Sequence, residues 1–186
     1  MTEEVKRNYL EIKSLQDLIE GNKPSEDYSL SLINPINFQL NKFFYKNIGK
    51  KHKWVDRLSW SEEKWINYAS SKNVNSFVLK HKDDLVGFFE LIFHPENNET
   101  EIAYFGILEE YQNKRLGSYL LSEAIKKSFQ NNVNRVWVHT CSLDHKNALN
   151  NYISRGMKIF KTEILNKFFE RTLFFLIDDK YVILKF

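Results

Sequence analysis

The segment Glu101–Leu121, which reads EIAYFGILEEYQNKRLGSYLL, decides the fold. Residues 101–108 predict a strand, and a short polar loop follows them. From Arg115 to Asn131 apolar residues then recur on one side at helical spacing, which predicts an amphipathic helix. The loop therefore places unpaired backbone N–H groups at a helix N-terminus, where these groups and the helix dipole together bind phosphate.

The loop between this strand and this helix has the composition of an anion-binding site. Lys114 and Arg115 add positive charge, and Gly117 lets a ligand approach the backbone closely. The other candidate residues of the loop are Gln112, Asn113, Leu116 and Ser118. From these residues alone, an ordinary strand-to-helix turn with solvated basic side chains remains the alternative.

Further strands and helices are predicted on both sides of this segment. Residues 1–27 predict an irregular extension with a short strand at 8–14, and Pro35 begins a helix that ends at Gly49. Ser59 and Glu62 match a capping box for a second helix, and Asp144 is the predicted cap of a helix that stops at Gly156. The remaining predicted strands are 28–33, 76–81, 85–93, 135–141 and a final hairpin, 172–177 with 181–186, which turns at Asp178, Asp179 and Lys180.

This order of elements predicts an α/β (α+β) fold in a single domain, residues 1–186. We expect a mixed, largely antiparallel central sheet of about six or seven strands, flanked by about four helices. The chain has no stretch of the roughly 20 apolar residues that a membrane-spanning helix needs. Its charged N-terminus lacks the apolar core of a signal peptide, so a cytoplasmic location without membrane association is expected.

Composition narrows the classes of function. The net charge is +3, which falls short of the strongly basic footprint of a dedicated nucleic-acid binder. The basic stretch 46–53, with Tyr45 and Trp54 beside it, leaves nucleic-acid binding as a weak alternative only. The single cysteine, Cys141, cannot form an internal disulfide, and the five histidines are scattered without metal-ligand spacing. No metal cofactor and no nucleic-acid partner are therefore expected.

Two sequence blocks resemble a known family. The pattern Gln112-x-x-Arg115-x-Gly117 resembles the loop with which GCN5-related N-acetyltransferases hold the pyrophosphate of acetyl-CoA. Farther along, Val136–Cys141 resembles the fifth strand of that family, and Ala148-x-x-x-Tyr152-x-x-x-Gly156-Met157 resembles its next helix. The clear resemblance covers residues 77–161. The chain departs from the family pattern in having Arg115 at a loop glycine, His145 at a common Asn and Met157 at a Phe.

The resemblance implies direct transfer of an acetyl group from acetyl-CoA, as cosubstrate, to a primary amine in a ternary complex. Tyr152 occupies the position of the tyrosine that protonates the leaving thiolate, and Glu101 lies on the strand that often carries the general base. His139 is an alternative base, because histidine titrates near neutrality. For each of these residues a purely structural role is the alternative. A nucleophilic role for Cys141 is not expected.

The resemblance also implies where the cofactor lies. Backbone groups of Phe105, Gly106 and Ile107 are expected to bind the pantetheine arm, and Asn147 is a further expected contact. The strand before the loop and the strand at 135–141 are expected to splay apart where the arm inserts.

The family resemblance implies that the segment between the two N-terminal helices lies beside the acceptor end of the cofactor cleft. Trp54 would line an apolar wall, Asp56 could hold a cationic group of the acceptor, and Arg57 could bind an acceptor carboxylate. Alternatively, the tryptophans pin the segment to the core while Asp56 and Arg57 pair with each other. The expected partner is a small-molecule or peptide amine, and the expected state is a monomer or homodimer. A non-catalytic acyl-CoA-binding sensor or regulatory module is the alternative function.

Overall fold

The computed structural model describes residues 2–168, 173–177 and 180–184, and the side chains of residues 4–165. The strands are β1 (Thr2–Ile12), β2 (Tyr28–Leu32), β3 (Val74–His81), β4 (Asp84–His94), β5 (Glu99–Ile107), β6 (Arg135–Cys141), β7 (Lys158–Phe168), β8 (Leu173–Ile177) and β9 (Lys180–Leu184). The α-helices of the described residues are α1 (Phe38–Gly49), α2 (Glu62–Ala69), α3 (Leu116–Phe129) and α4 (Ala148–Ser154).

Seven of these strands form one sheet in the order β2-β3-β4-β5-β6-β1-β7. All neighbouring pairs are antiparallel except β5 and β6, which are parallel. The mixed, largely antiparallel sheet with four flanking helices that the sequence predicts is thus confirmed. Strands β8 and β9 form the predicted final hairpin, although Thr172, Asp178, Asp179, Lys185 and Phe186 of that prediction lie outside the described residues.

The parallel pair β5 and β6 opens the sheet. Only three Cα pairs join these strands, from Glu99 with Arg135 to Glu101 with Trp137. Beyond Glu101 the described residues of β5 have partners only on β4, so the two strands separate as the family resemblance implies. A β-bulge adds to this irregularity, because Glu90 pairs with Tyr104 and Leu91 with Ile102, which leaves Ala103 without a partner. Bulges of this kind re-aim side chains next to functional sites.

Helices cover both faces of the sheet. On one face α3 buries Leu120, Leu121, Ala124 and Ile125 in a core that also contains Tyr152 of α4. On the other face α1 stacks Phe44 on Phe88 of β4, with ring centroids 4.8 Å apart. Because successive side chains of a strand alternate between faces, the opening between β5 and β6 is bordered by different residues on the α1 side and on the α3 side.

The N-terminal segment corrects one prediction. Residues 2–12 are not an irregular extension but a strand inside the sheet, hydrogen-bonded to β6 on one side and β7 on the other. Leu10 and Ile12 are buried in the α3-side core. The charged side chains on the opposite face of β1 hide this alternation, and both partner strands lie more than 120 residues farther along the chain.

Two predicted helix caps are also corrected. Ser61, and not Ser59, caps α2 by accepting a hydrogen bond from the backbone N–H of Lys64 at 3.2 Å. Asn147 stands at the N-cap position of α4. The Asp144 carboxylate instead accepts hydrogen bonds from the Thr140 hydroxyl and the Cys141 N–H, at 2.8 and 2.9 Å. Asp144 therefore fixes the turn that follows β6.

No helix within the described residues is long and apolar enough to cross a bilayer.

Candidate active site

A cleft of about 930 Å³ lies where β5 and β6 separate. Its walls are β5 with the loop that enters α3, β6 with α4, and the segment 52–57 after α1. Among the site residues predicted from the sequence, those that line the cleft are Trp54, Asp56, Arg57, Glu101, Phe105, Gly106, Ile107, Gln112, Asn113, Arg115, Leu116, Gly117, Ser118, His139, Asn147 and Tyr152. Lys114 does not line the cleft, because its ammonium lies over the ring of Tyr111 at 4.6 Å.

The loop that enters α3 has a left-handed backbone at two residues. Asn113 has φ of 62°, and Arg115, at the N-cap position, has φ of 60° and ψ of 10°. This conformation favours glycine, which the resembled family has at the position of Arg115, and costs another residue roughly 1 kcal/mol. No side chain caps the N-terminus of α3. The Ser118 N–H donates to the Arg115 carbonyl at 3.3 Å, and the preceding first-turn N–H groups at the cleft are placed for a ligand.

Gly117 leaves space beside this helix N-terminus. A Cβ atom built on Gly117 would meet nothing closer than Asn151 Nδ2 at 3.7 Å, an ordinary contact, and its φ is not in the left-handed region. Protein packing and backbone conformation therefore give no reason for glycine here, although glycine in a helix costs about 0.5–1 kcal/mol relative to alanine. The open space lies on the cleft, and it fits the close approach of a phosphate group.

Glu101 lies on the α1 side of the opening. Its side chain is 16% exposed, and the Nε2 of His94 lies 3.1 Å from Glu101 Oε2. His94 in turn stacks on Trp137, with ring centroids 6.1 Å apart. Burial raises the pKa of the Glu101 carboxyl above its ordinary value, against the opposing effect of the hydrogen bond to His94. A carboxylate with a raised pKa is a stronger base, so the geometry suits proton removal.

Tyr152 lies on the opposite, α3 side of the opening. It is 6% exposed, and its ring centroid is 6.2 Å from that of Phe105. Burial, reinforced by the charge of Asp144, raises the pKa of the Tyr152 phenol. A phenol is protonated at neutral pH even at its ordinary pKa near ~10, so the hydroxyl has a proton to donate into the cleft, although the raised pKa makes it a weaker acid than an exposed tyrosine. Glu101 and Tyr152 thus border the same opening from its two faces.

His139 is exposed on β6. Its ring packs against the edge of the Tyr9 ring, with centroids 5.8 Å apart. It lies on the same face as Trp137, which is the partner of Glu101 in the strand register. His139 therefore remains a candidate base on the wall opposite Glu101.

Asp56 presents its carboxylate at the mouth of the cleft. The hydroxyls of Tyr45 and Tyr104 donate to its two oxygens at 3.0 and 2.5 Å. Trp54 packs beside them, with its ring centroid 4.9 Å from that of Tyr104. No cation among the described residues forms an ion pair with Asp56. This segment therefore offers a fixed, exposed negative charge next to an aromatic wall.

Arg57 has a different role from the one that the sequence suggests. Its guanidinium is buried and forms an ion pair with Glu90 of β4, with 2.9 Å between Nη1 and Oε2. The rings of Tyr68 and Tyr104 lie 4.0 and 4.1 Å from its Cζ. The contacts of Arg57 are therefore those of a scaffold residue, with its guanidinium already paired to a carboxylate of the chain. Asp56 and Arg57 do not form an ion pair, so that part of the alternative is wrong. Its other part fits the structure, because Trp54 packs on Tyr45 and Tyr104.

Two important cleft residues have no motif in the sequence. Arg7 reaches the cleft from β1, a strand that the sequence does not reveal. Tyr104 belongs to the predicted strand, but the bulge at Ala103 puts it on the same face as Glu101. A bulge breaks the period of two on which a sequence pattern depends.

Within residues 4–165, no group of three or more His, Cys, Asp or Glu side chains is placed to hold a metal ion.

Comparison with known proteins adds a family and a set of similar folds. The model of the acetyltransferase (GNAT) family matches residues 38–157. No curated protein sequence matches the chain significantly.

Among solved structures, a GCN5-related N-acetyltransferase from Sphaerobacter thermophilus matches 89% of this chain and 52% of its own, with TM-score 0.70 and 14% identity. A GCN5-related N-acetyltransferase from Kribbella flavida matches 86% of this chain and 56% of its own, with TM-score 0.63 and 13% identity. An aminoglycoside acetyltransferase from an uncultured soil metagenomic sample matches 72% of this chain and 90% of its own, with TM-score 0.59 and 12% identity. The chain thus spans about half the length of the first two structures. At these low identities the similarity shows a shared fold and nothing further.

Proposed function

Because the chain belongs to the acetyltransferase (GNAT) family, we propose that it transfers an acetyl group directly from acetyl-CoA to a primary amine, with both substrates bound together. One observation carries this proposal. The cleft between β5 and β6 has the uncapped N-terminus of α3 at one end, and Glu101 and Tyr152 border it from opposite faces. Such a site can hold a phosphate group and move protons on either side of one reacting centre.

The residues present fit acetyl-CoA, which supplies an acetyl thioester when bound. The first-turn N–H groups of α3 and the Arg115 guanidinium would hold the pyrophosphate, with the open side of Gly117 against it. The β6-facing edge of β5 has no strand partner over residues 105–107, so its backbone groups can bind the amides of the pantetheine arm. The main contribution of the chain is to hold two substrates in line.

Two side chains of the cleft can move the protons that the reaction requires. An alkylammonium has a pKa near ~10.4 and must lose a proton to become a nucleophile. The Glu101 carboxylate accepts this proton, directly or through water, and its raised pKa favours that step. The buried Tyr152 hydroxyl gives its proton to the departing sulfur. Asp56 would hold the incoming ammonium at the mouth of the cleft.

The activity is tested with a panel of amines and acetyl-CoA, with released free thiol as the measured product. Because one similar structure is an aminoglycoside acetyltransferase, the panel should contain aminoglycosides beside amino acids, polyamines, amino sugars and peptides. Thiol release that depends on an amine supports the proposal. Tight CoA binding without amine-dependent thiol release would contradict the proposal and would favour an acyl-CoA-binding sensor.

The pH dependence of the reaction distinguishes the two candidate bases. Since burial raises the pKa of Glu101 and only the carboxylate accepts a proton, we expect kcat/KM to fall on the acidic side at a pH above 4.5. Glu101→Gln should abolish this acidic limb and lower kcat/KM by about 10²-fold or more. His139→Asn should leave the limb in place. If both variants retain the parent profile, neither residue is the base and the amine loses its proton to solvent.

The phosphate site is tested at Gly117. Gly117→Glu would place a side chain and a negative charge in the open space beside the N-terminus of α3. We expect a loss of CoA affinity of at least about tenfold, equivalent to ~1.4 kcal/mol, measured by calorimetry. Gly117→Ala is the matched control, since a Cβ meets only an ordinary contact there. Unchanged CoA affinity in a folded Gly117→Glu protein would remove the loop from the cofactor site.

A further inference from the structure

Arg7 of β1 lines the cleft and forms no ion pair within residues 4–165. The Nε of Arg7 is buried without a hydrogen-bond partner, and its Nη1 donates a long hydrogen bond, 3.5 Å, to the Tyr9 hydroxyl. The carboxylate opposite Arg7 in the strand register is Glu163. Arg7 contributes to lowering the pKa of Glu163, but only as the last of several effects, and the direct partners of this carboxylate are Lys161 and the Tyr9 hydroxyl. Within residues 4–165 no carboxylate forms an ion pair with Arg7. An arginine in this state lacks the planar acceptor that its fork of donors matches.

The same cleft contains unmatched charge of the opposite sign. Within residues 4–165, Asp56 accepts hydrogen bonds from two tyrosine hydroxyls and forms no ion pair. Glu101 has His94 as its hydrogen-bond partner and the charge of Arg57 at longer range. Arg57, which also lines the cleft, forms a buried ion pair with Glu90. The acceptor side of the cleft therefore has a negative region at Asp56 and Glu101 and a positive region at Arg7. A ligand with charges of both signs would complement it.

The strand register gives the separation of the two regions. Glu101 pairs with Trp137 of β6, which pairs with Glu11 of β1, and Arg7 lies four residues from Glu11 on that strand. Two strand spacings and four residues place the Cα atoms of Glu101 and Arg7 roughly 16 Å apart. The two side chains shorten this gap but do not close it. An α-amino acid, whose amine and carboxylate share one carbon atom, is too short to reach both regions.

We infer that Arg7 binds a carboxylate of the acceptor, and that the acceptor is a primary amine joined to this carboxylate by an extended chain. The inference rests on the proposed function, because Glu101 marks the place of the reacting amine. The ammonium lies at Asp56 and Glu101, and the carboxylate forms a bidentate pair with the guanidinium of Arg7. Arg7 thus takes the role that the sequence suggests for Arg57, and it determines specificity without touching the reacting atoms.

Binding of matched ligands to the CoA complex tests this inference. Hexylamine and 6-aminohexanoate differ by the carboxylate, and glycine and 4-aminobutanoate provide shorter chains. We expect 6-aminohexanoate to bind at least about tenfold more tightly than hexylamine, a difference of ~1.4 kcal/mol. Glycine should bind no more tightly than hexylamine, because its carboxylate cannot reach Arg7 while its amine lies at Glu101. Arg7→Gln should remove the preference without weakening hexylamine. Arg7→Lys should retain part of it, since an ammonium cannot form the bidentate pair.

Lys6→Gln is the control, because it removes the same charge from β1 at an exposed residue that does not line the cleft. Equal affinities for hexylamine and 6-aminohexanoate in the parent protein, or failure of every amino carboxylate to bind, would overturn the inference. An equal loss of affinity for both ligands in Arg7→Gln would overturn it as well.

Thiol release measured on the same ligands tests the proposed function separately. Carboxylate preference without turnover refutes the proposed function alone, whereas turnover without preference refutes the role of Arg7 alone.

Discussion

Replacement of Tyr152 by phenylalanine should lower kcat by about 10²–10⁴-fold, the usual contribution of a general acid. The substitution removes only the hydroxyl, which no described residue engages in a hydrogen bond, and leaves the ring packed beside Phe105. The phenol is protonated at neutral pH, since its ordinary pKa is near ~10 and burial raises it further, so the parent protein has a donor at the proposed position of the departing thiolate. Because the ring remains, the KM for acetyl-CoA should change little.

The measurement is steady-state turnover with saturating acetyl-CoA and the best amine of the panel, combined with a thermal melt. Tyr28→Phe is the matched control, since Tyr28 packs on His81 at the other end of the sheet and does not line the cleft. A Tyr152→Phe protein whose kcat stays within about threefold of the parent, well below the contribution of a general acid, would make Tyr152 a packing residue. Water would then protonate the thiolate.

Local sequence signals account for much of the fold. The helix α3 can be predicted from the sequence because its buried residues Leu120, Leu121, Ala124 and Ile125 recur at helical spacing. That pattern is local and does not depend on the rest of the chain. The loop before it is visible for the same reason, since strand, loop and helix are continuous in sequence. The family resemblance adds Tyr152 and Glu101, which local pattern alone would leave as an ordinary tyrosine and an edge carboxylate.

The strand β1 shows where such signals end. Val5, Leu10 and Ile12 are buried, yet they stand among charged residues in a segment without turn signals. Its pairing partners are β6 and β7, so the strand exists only because distant parts of the chain meet it. The specificity role inferred for Arg7 depends on this placement and could not be read from residues 1–12.

The sequence contains an indirect indication of the buried ion pair of Arg57, and it lies in the strand that carries the partner, Glu90. Glu90 is the only charged residue within the apolar run Leu85–Phe93. A carboxylate inside a buried strand requires a cation or several hydrogen bonds, because desolvation of an unpaired charge is very costly. The sequence thus indicates that some cation must be buried against Glu90. It does not indicate which one, since the partner comes from the segment after α1 and depends on the tertiary fold.

Replacement of Arg57 by methionine should destabilise the protein by about 3–5 kcal/mol, the usual cost of removing one partner from a buried ion pair. The substitution would leave the Glu90 carboxylate, which is 0% exposed, with only the Asn41 amide and the Tyr68 hydroxyl as hydrogen-bond donors at 3.0 and 2.7 Å. For a chain of this size the Tm should fall by roughly 6–20 °C. Urea denaturation with a constant m-value would give the change in the free energy of unfolding.

The double variant Arg57→Met/Glu90→Gln separates a scaffold role from an acceptor role. Glutamine can accept from the Asn41 amide through its oxygen and donate from its amide nitrogen to the Tyr68 oxygen. It does so without a buried charge, so most of the lost stability should return. Lys51→Met is the exposed control, because the ion pair of Lys51 with Glu109 is solvent-exposed and such pairs contribute less than about 1 kcal/mol. Arg57→Met with an unchanged Tm and a raised acceptor KM would contradict the assignment. The acceptor carboxylate would then bind at Arg57, and the guanidinium of Arg7 would lose the role inferred for it.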